Sequence, residues 1–83
     1  MYLKENPTAA SLLRRAAKVR GMTIDDLARE AMIPRTTLRR RLTHPSTITI
    51  ENLRDIFDAL AANADEALKI VGQLLWEGGE WDA

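Results

Sequence analysis

An 83-residue chain with 12 Lys or Arg, 12 Asp or Glu and no cysteine has zero formal net charge, and its length leaves room for one small domain with a limited core. The missing cysteine excludes a disulfide framework and a thiolate metal site, and fits a reducing cytosol. Zero net charge hides a lopsided distribution, because residues 1–46 hold ten Lys or Arg against four Asp or Glu, while residues 47–83 hold two against eight.

The elements follow in order. Asn6-Pro7-Thr8 supplies a cap and a first-turn proline, and Gly21 a stop, so a first helix is predicted over 8–20. Leu12, Leu13, Ala16, Ala17 and Val19 make its apolar stripe, and Arg14, Arg15, Lys18 and Arg20 its basic, solvated remainder. Thr23 caps a second helix that runs to Glu30 or Ala31, with Asp26 as a shorter version of the capping-box acid. Asp25 and Asp26 also suit the positive start of that helix. Leu27, Ala28 and Ala31 form its inward face, and the small alanines let a neighbouring helix come close.

Met32-Ile33-Pro34 has room only for a tight turn, since Pro34 disfavours helical geometry at Ile33 yet suits the first turn of a new helix. The third helix is predicted over 34–42 and carries four arginines: Arg35, Arg39, Arg40 and Arg41. Residues 43–47, Thr-His-Pro-Ser-Thr, have no helix or strand period. Thr49 then caps a fourth helix over 50–61, with Ile50, Leu53, Ile56, Phe57 and Leu60 at helical spacing. Asn63 opens a fifth, whose stripe is Ala67, Leu68, Val71, Leu74 and Leu75 and which ends at Gly78-Gly79. The expected architecture is all-α: a single domain over 1–83 with five helices, a core at about 8–76 and a short acidic tail over 77–83. The apolar stretches 67–76 and 9–17 are broken by Lys69, Gly72 and Gln73 and by Arg14 and Arg15, so neither reads as a membrane span or a signal-peptide core. A cytoplasmic protein is expected.

The third helix holds the chemistry. At about 100° per residue, Leu38 and Leu42 lie within about 40° of each other and face the core, while Thr36 and Arg40 point almost directly away. Arg39 and Arg41 flank this outward ridge, and Arg35 and Thr37 sit in the first turn. Guanidinium groups neutralise phosphates, and on a helix of this width in the major groove they can bridge O6 and N7 of guanine. Short hydroxyls and methyls such as those of Thr36 and Thr37 suit thymine methyls or phosphates. Arg39, Arg40 and Arg41 repel one another and have no acid near them in sequence, which argues against a merely solvated face. The charge split likewise suggests a nucleic-acid or acidic-partner face at one end, unless folding intermixes the charges.

Residues 12 to about 70 resemble the helix-turn-helix domain of lambda-repressor-like phage repressors and Cro proteins, the xenobiotic-response-element family of bacterial regulators. Arg20-Gly21-Met22-Thr23 with Asp26-Leu27-Ala28 is similar to that family's Gly-Leu-Thr and Glu-Leu-Ala pattern. Ile33-Pro34-Arg35-Thr36-Thr37-Leu38 resembles its Val-Ser-Arg-Ser-Thr-Ile run. Thr49-Ile50-Glu51-Asn52-Leu53 with Ile56, Ala59 and Leu60, then 63–68, is similar to its Ser-Leu-Glu-Thr-Leu, Ile, Ala-Leu and Ser-Leu-Asp-Glu-Leu-Leu run. The resemblance implies a helix-turn-helix at about 23–42, base-edge contacts from Arg35, Thr36, Arg39 and Arg40, and phosphate contacts from Thr23, Thr43 and His44. Thr37 and Arg41 are further candidates for phosphate. Three departures stand out: Met32 where glycine is common, Ile24 in place of a phosphate-binding glutamine, and Pro34 in place of a Ser or Thr cap.

His44 is the only histidine, so catalytic triads and histidine metal clusters are excluded by counting. Asp25 and Asp26 are not a paired acid and base, because neighbouring helical residues point about 100° apart. No enzyme, cofactor or small-molecule ligand is expected. The expected partners are double-stranded DNA and a second copy of the chain, bound as a symmetric dimer to a pseudo-palindrome. Leu74, Leu75, Trp76 and Trp81 are the candidate dimer surface, although the tryptophans could equally fold back on the domain. The expected function is a sequence-specific regulator of the phage or prophage repressor and Cro type. The alternative is an adaptor or antitoxin-type interaction module on the same helices.

Overall fold

A computed structural model describes residues 8–78, and the predicted tail residues 79–83, Trp81 among them, lie outside the described residues. Five helices follow one another: α1 (Ala9–Val19), α2 (Ile24–Ala31), α3 (Arg35–Thr43), α4 (Ile50–Leu60) and α5 (Ala64–Gly78). A single 3₁₀ turn, Pro45–Thr47, lies between α3 and α4, so part of the stretch expected to be irregular is ordered. Strands are absent among the described residues. Each helix starts where local chemistry dictates. Thr8, Thr23 and Thr49 each accept the amide N–H three residues on, and Ser11, Asp26 and Asn52 return the bond to the cap's own amide. Asn63 accepts the Glu66 amide at 2.8 Å ahead of α5. Pro34 has no side-chain oxygen to offer and stands just outside α3 with ψ 136°, so that helix begins one residue later than predicted.

Three of the stops, after α1, α2 and α4, share one geometry. After α1 the amides of Gly21 and Met22 return to the carbonyls of Lys18 and Ala17, with Gly21 in the left-handed region at φ 76°. After α2 the amides of Met32 and Ile33 return to Arg29 and Ala28, and after α4 those of Ala61 and Ala62 return to Asp58 and Phe57. Met32 and Ala61 therefore take the left-handed turn with a side chain in place, at φ 60° and 54°. These turns satisfy the last helix carbonyls. The left-handed backbone costs a residue with a Cβ about 1–2 kcal/mol.

Every helix sends at least one fully buried residue to the centre: Leu13, Leu27, Leu38, Ile56 with Leu60, and Ile70. α2 packs on α4 and on α3, α1 packs on α5, and the 3₁₀ turn bridges α3 and α5. The predicted stripe of α5 is rotated, because Ile70 is buried whereas Leu68 is exposed. Ala67, Ile70, Val71 and Leu74 follow the i, i+3, i+4, i+7 spacing of one narrow face, and Leu68 and Leu75 lie about 90–110° round from its middle. Val19 and Ile50, counted on apolar faces by spacing, are also exposed at the ends of their helices.

Arg20 ties the scaffold together. Its Nε donates to the Leu60 carbonyl at the end of α4, and one Nη donates to the Ala16 carbonyl at 2.8 Å. The same guanidinium meets both oxygens of Glu66 on α5, at 2.8 and 3.2 Å. One side chain thus closes the end of α4 and fastens α1 to α5.

Met32 is 89% exposed, so replacing it removes no core contact. Met32→Gly is expected to stabilise the fold by about 1 kcal/mol, raising the thermal midpoint by about 4–8 °C for a domain of this size. A midpoint that stays put or falls in a calorimetric scan would contradict the strain assigned to that turn.

Candidate nucleic-acid interface

The orientation of α3 follows from its two buried leucines. The helix has nine residues, of which only Leu38 and Leu42 are buried, with Ile33 buried just before it. With that keel inward, Thr36 and Arg40 stand exposed on the opposite side, as predicted from spacing. Arg40 forms no side-chain hydrogen bond or ion pair among the described residues, and the hydroxyls of Thr36 and Thr37 are likewise unengaged. Thr36 is exposed and Thr37 half-buried. Because Pro34 caps nothing, the amides of the first turn of α3 also remain available, and a helix start of this kind attracts anions.

The other arginines have partners. Arg39 donates from Nε and Nη2 to one oxygen of Asp25, at 3.1 and 2.9 Å, and Nη1 of Arg35 lies 3.7 Å from the other. Both arginines are exposed and lie on the flank of α3 that faces the start of α2. Arg41 lies on the opposite flank, half-buried, where Nη1 donates to the Thr47 carbonyl and Nε is buried with no hydrogen-bond partner. Its guanidinium therefore holds the 3₁₀ turn against α3 and is not extended toward solvent as a phosphate contact requires.

The remaining candidates sit around the rim. Thr23 is exposed, and its hydroxyl accepts the Asp26 amide at 3.0 Å and helps to stabilise the Asp26 carboxylate. Thr43 donates its hydroxyl to the Arg39 carbonyl at 3.0 Å, so its proton is committed within the helix. His44 is exposed at the end of α3, where its amide closes the last turn on the Arg40 carbonyl. Among the expected dimer residues, Leu74 is 8% exposed and belongs to the core, because its position on α5 faces α1 and the 3₁₀ turn. Leu75 and Trp76 are 56% and 72% exposed. Beside Leu75 an apolar groove of about 350 Å³ opens between the 3₁₀ turn, the start of α4 and α5, lined by Pro45, Ile48, Ile50, Leu53 and Val71 among others.

Asp25 and Arg20 have tertiary roles that the sequence does not announce, since Asp25 also suits its helix start and Arg20 a solvated face. Each acts on a partner at least 14 residues away, Arg39 for Asp25 and Glu66 for Arg20, and no local spacing signals such a contact. Among the described residues, Arg20–Glu66 is the one ion pair that joins the basic first half of the chain to the acidic second half.

A family model for the Cro/C1-type HTH DNA-binding domain matches residues 13–73, from within α1 to within α5, and the chain belongs to that family. It is a helix-turn-helix DNA-binding regulator in which α2 and α3 form the motif. No curated protein and no solved structure matches the chain. No helix among the described residues is long and apolar enough to cross a membrane.

The cap of α2 makes one property pH-dependent. Asp26 accepts the Thr23 amide at 3.0 Å, and that bond, the Thr23 hydroxyl and the nearby Arg29 hold its carboxyl below the ordinary value of 3.8. The unfolded chain therefore takes up this proton more readily than the folded one. The stabilisation is complete above about pH 4 and is lost as pH falls through the lower folded value. Thermal midpoints measured from about pH 5 to pH 2 should drop more steeply for the wild type than for Asp26→Ala. Parallel curves would show that the cap carboxylate contributes nothing.

Proposed function

We propose that the chain is a sequence-specific transcriptional regulator of the phage or prophage repressor and Cro type, acting in the cytoplasm with α3 in the major groove of a pseudo-palindromic operator. The observation that carries this reading is the outward pair Thr36 and Arg40, exposed and without intramolecular partners, opposite a keel of two buried leucines. An arginine so placed can bridge a guanine edge, and a threonine beside it can meet a thymine methyl or a phosphate. Arg35 and Arg39 complete the base-facing set. Thr23, the open first turn of α3 and His44 lie where flanking phosphates would run.

Binding as a symmetric dimer sets two α3 helices in successive major grooves, with half-site centres about 10–11 base pairs apart or a multiple of that. Exposed Leu75 and Trp76, next to the apolar groove beside α5, support that face as the dimer surface. The regulator acts by occupancy, blocking or recruiting polymerase.

Arg40→Ala is expected to weaken binding to the preferred site by about 1–3 kcal/mol and to blur preference at one base position. Affinity should also fall steeply with salt, with log K declining linearly against log salt concentration. Fluorescence anisotropy across a set of single-base variants measures both. An Arg40→Ala variant that keeps the wild-type affinity and preference would remove α3 from the groove, and a flat salt dependence would rule out phosphate contacts. Tight binding to a protein partner without any site preference would instead favour the interaction-module reading.

A further inference from the structure

Asp25 is a carboxylate set among the groups that the proposed interface uses. It is half-buried in the first turn of α2 and engages two arginines of α3 that lie four residues apart, Arg35 at 3.7 Å and Arg39 at 2.9 Å. We infer that Asp25 is a specificity-determining residue: it fixes the Arg35 and Arg39 guanidinium groups in one arrangement, so that they reach base edges in a single register and are withheld from indiscriminate phosphate contact. The inference rests on the proposed reading of α3 as the helix that meets DNA.

The geometry supports this role atom by atom. Arg39 gives Asp25 its side edge, Nε with Nη2, both to the same oxygen. The end edge, Nη1 with the second Nη2 proton, remains open, and two parallel donors of that kind match O6 and N7 of guanine. Arg35, held only through Nη1, is restrained more loosely. Exposed ion pairs contribute little to stability, so the effect of Asp25 falls on where the two forks point. Its charge acts in the same direction. A carboxylate beside the reading helix repels any phosphate that approaches out of register, and each arginine it occupies is one fewer cation for non-specific neutralisation.

The test compares the full chain with Asp25→Asn on a site selected by the wild type and on random duplex of equal length, over a range of salt. The Thr23 and Asp26 cap is untouched by this change, and circular dichroism melts verify the fold. Asp25→Ser, another residue favoured at helix starts, repeats the test should the asparagine variant not fold. Loss of the carboxylate should raise affinity for random duplex and steepen the log–log salt slope by about one to two units. The ratio of specific to random binding should fall about five- to fifty-fold. In an Arg39→Ala background the same replacement should have a clearly smaller effect, because the arginine it releases is gone. An unchanged ratio and slope, or an undiminished effect in that background, would overturn the inference, the latter by showing that Asp25 acts as a bare charge. A wild type without any site preference would overturn the DNA reading and this inference together, whereas a wild-type preference whose specific-to-random ratio is unchanged in Asp25→Asn overturns the role of Asp25 alone.

Discussion

Burial of Leu38 and Leu42 is the constraint on which the rest depends. α3 has nine residues, four of them arginines, and a helix that short and that self-repelling is not stable by itself in water. Seating two leucines in the core contributes about 1.5–3 kcal/mol each. It also sets the rotation of the helix about its axis, and that rotation decides which side chains meet solvent. Thr36 and Arg40 are presented because Leu38 and Leu42 are not. Arg35 and Arg39 fall on the flank toward α2, and Arg41 on the flank toward the 3₁₀ turn.

Around this keel the scaffold is fastened by side chains that bridge elements. Arg20 joins α1 to the end of α4 and to Glu66 on α5. Arg41 holds the 3₁₀ turn, which in turn packs on α5. Asp25 likewise bridges elements, meeting Arg35 and Arg39 of α3 from the first turn of α2. The four arginines of α3 therefore divide into three kinds: one free, two braced and one structural. A ridge built in this way presents few arrangements of charge to a partner, which is the requirement of a surface that discriminates among sequences.

Much of this was legible in the amino-acid sequence because it rests on local chemistry. The helix starts at Thr8, Thr23, Thr49 and Asn63 follow from side-chain oxygens placed three residues before an amide in need of a partner, and all four are used. The outward ridge follows from a 3.6-residue period and two leucines. What was illegible depends on tertiary placement. Arg41 and Arg39 are alike in sequence, and only the positions of Thr47 and Asp25 separate their roles. The broad apolar surface of α5 could face the core over either of two arcs, and the docking of α1 and the 3₁₀ turn selects the one that buries Ile70 and Leu74 and leaves Leu68 and Leu75 outside. Met32 adopts the left-handed turn that favours glycine because the hydrogen bonds to Ala28 and Arg29, together with the burial of Ile33, outweigh a local backbone penalty.

If α3 reads base sequence, as proposed, selection from a pool of random duplex DNA by the purified chain at moderate salt enriches a defined, pseudo-palindromic motif whose half-sites are centred about 10–11 base pairs apart, or a multiple of that. A pool that emerges unenriched, from a chain that is folded and binds duplex, would contradict that reading.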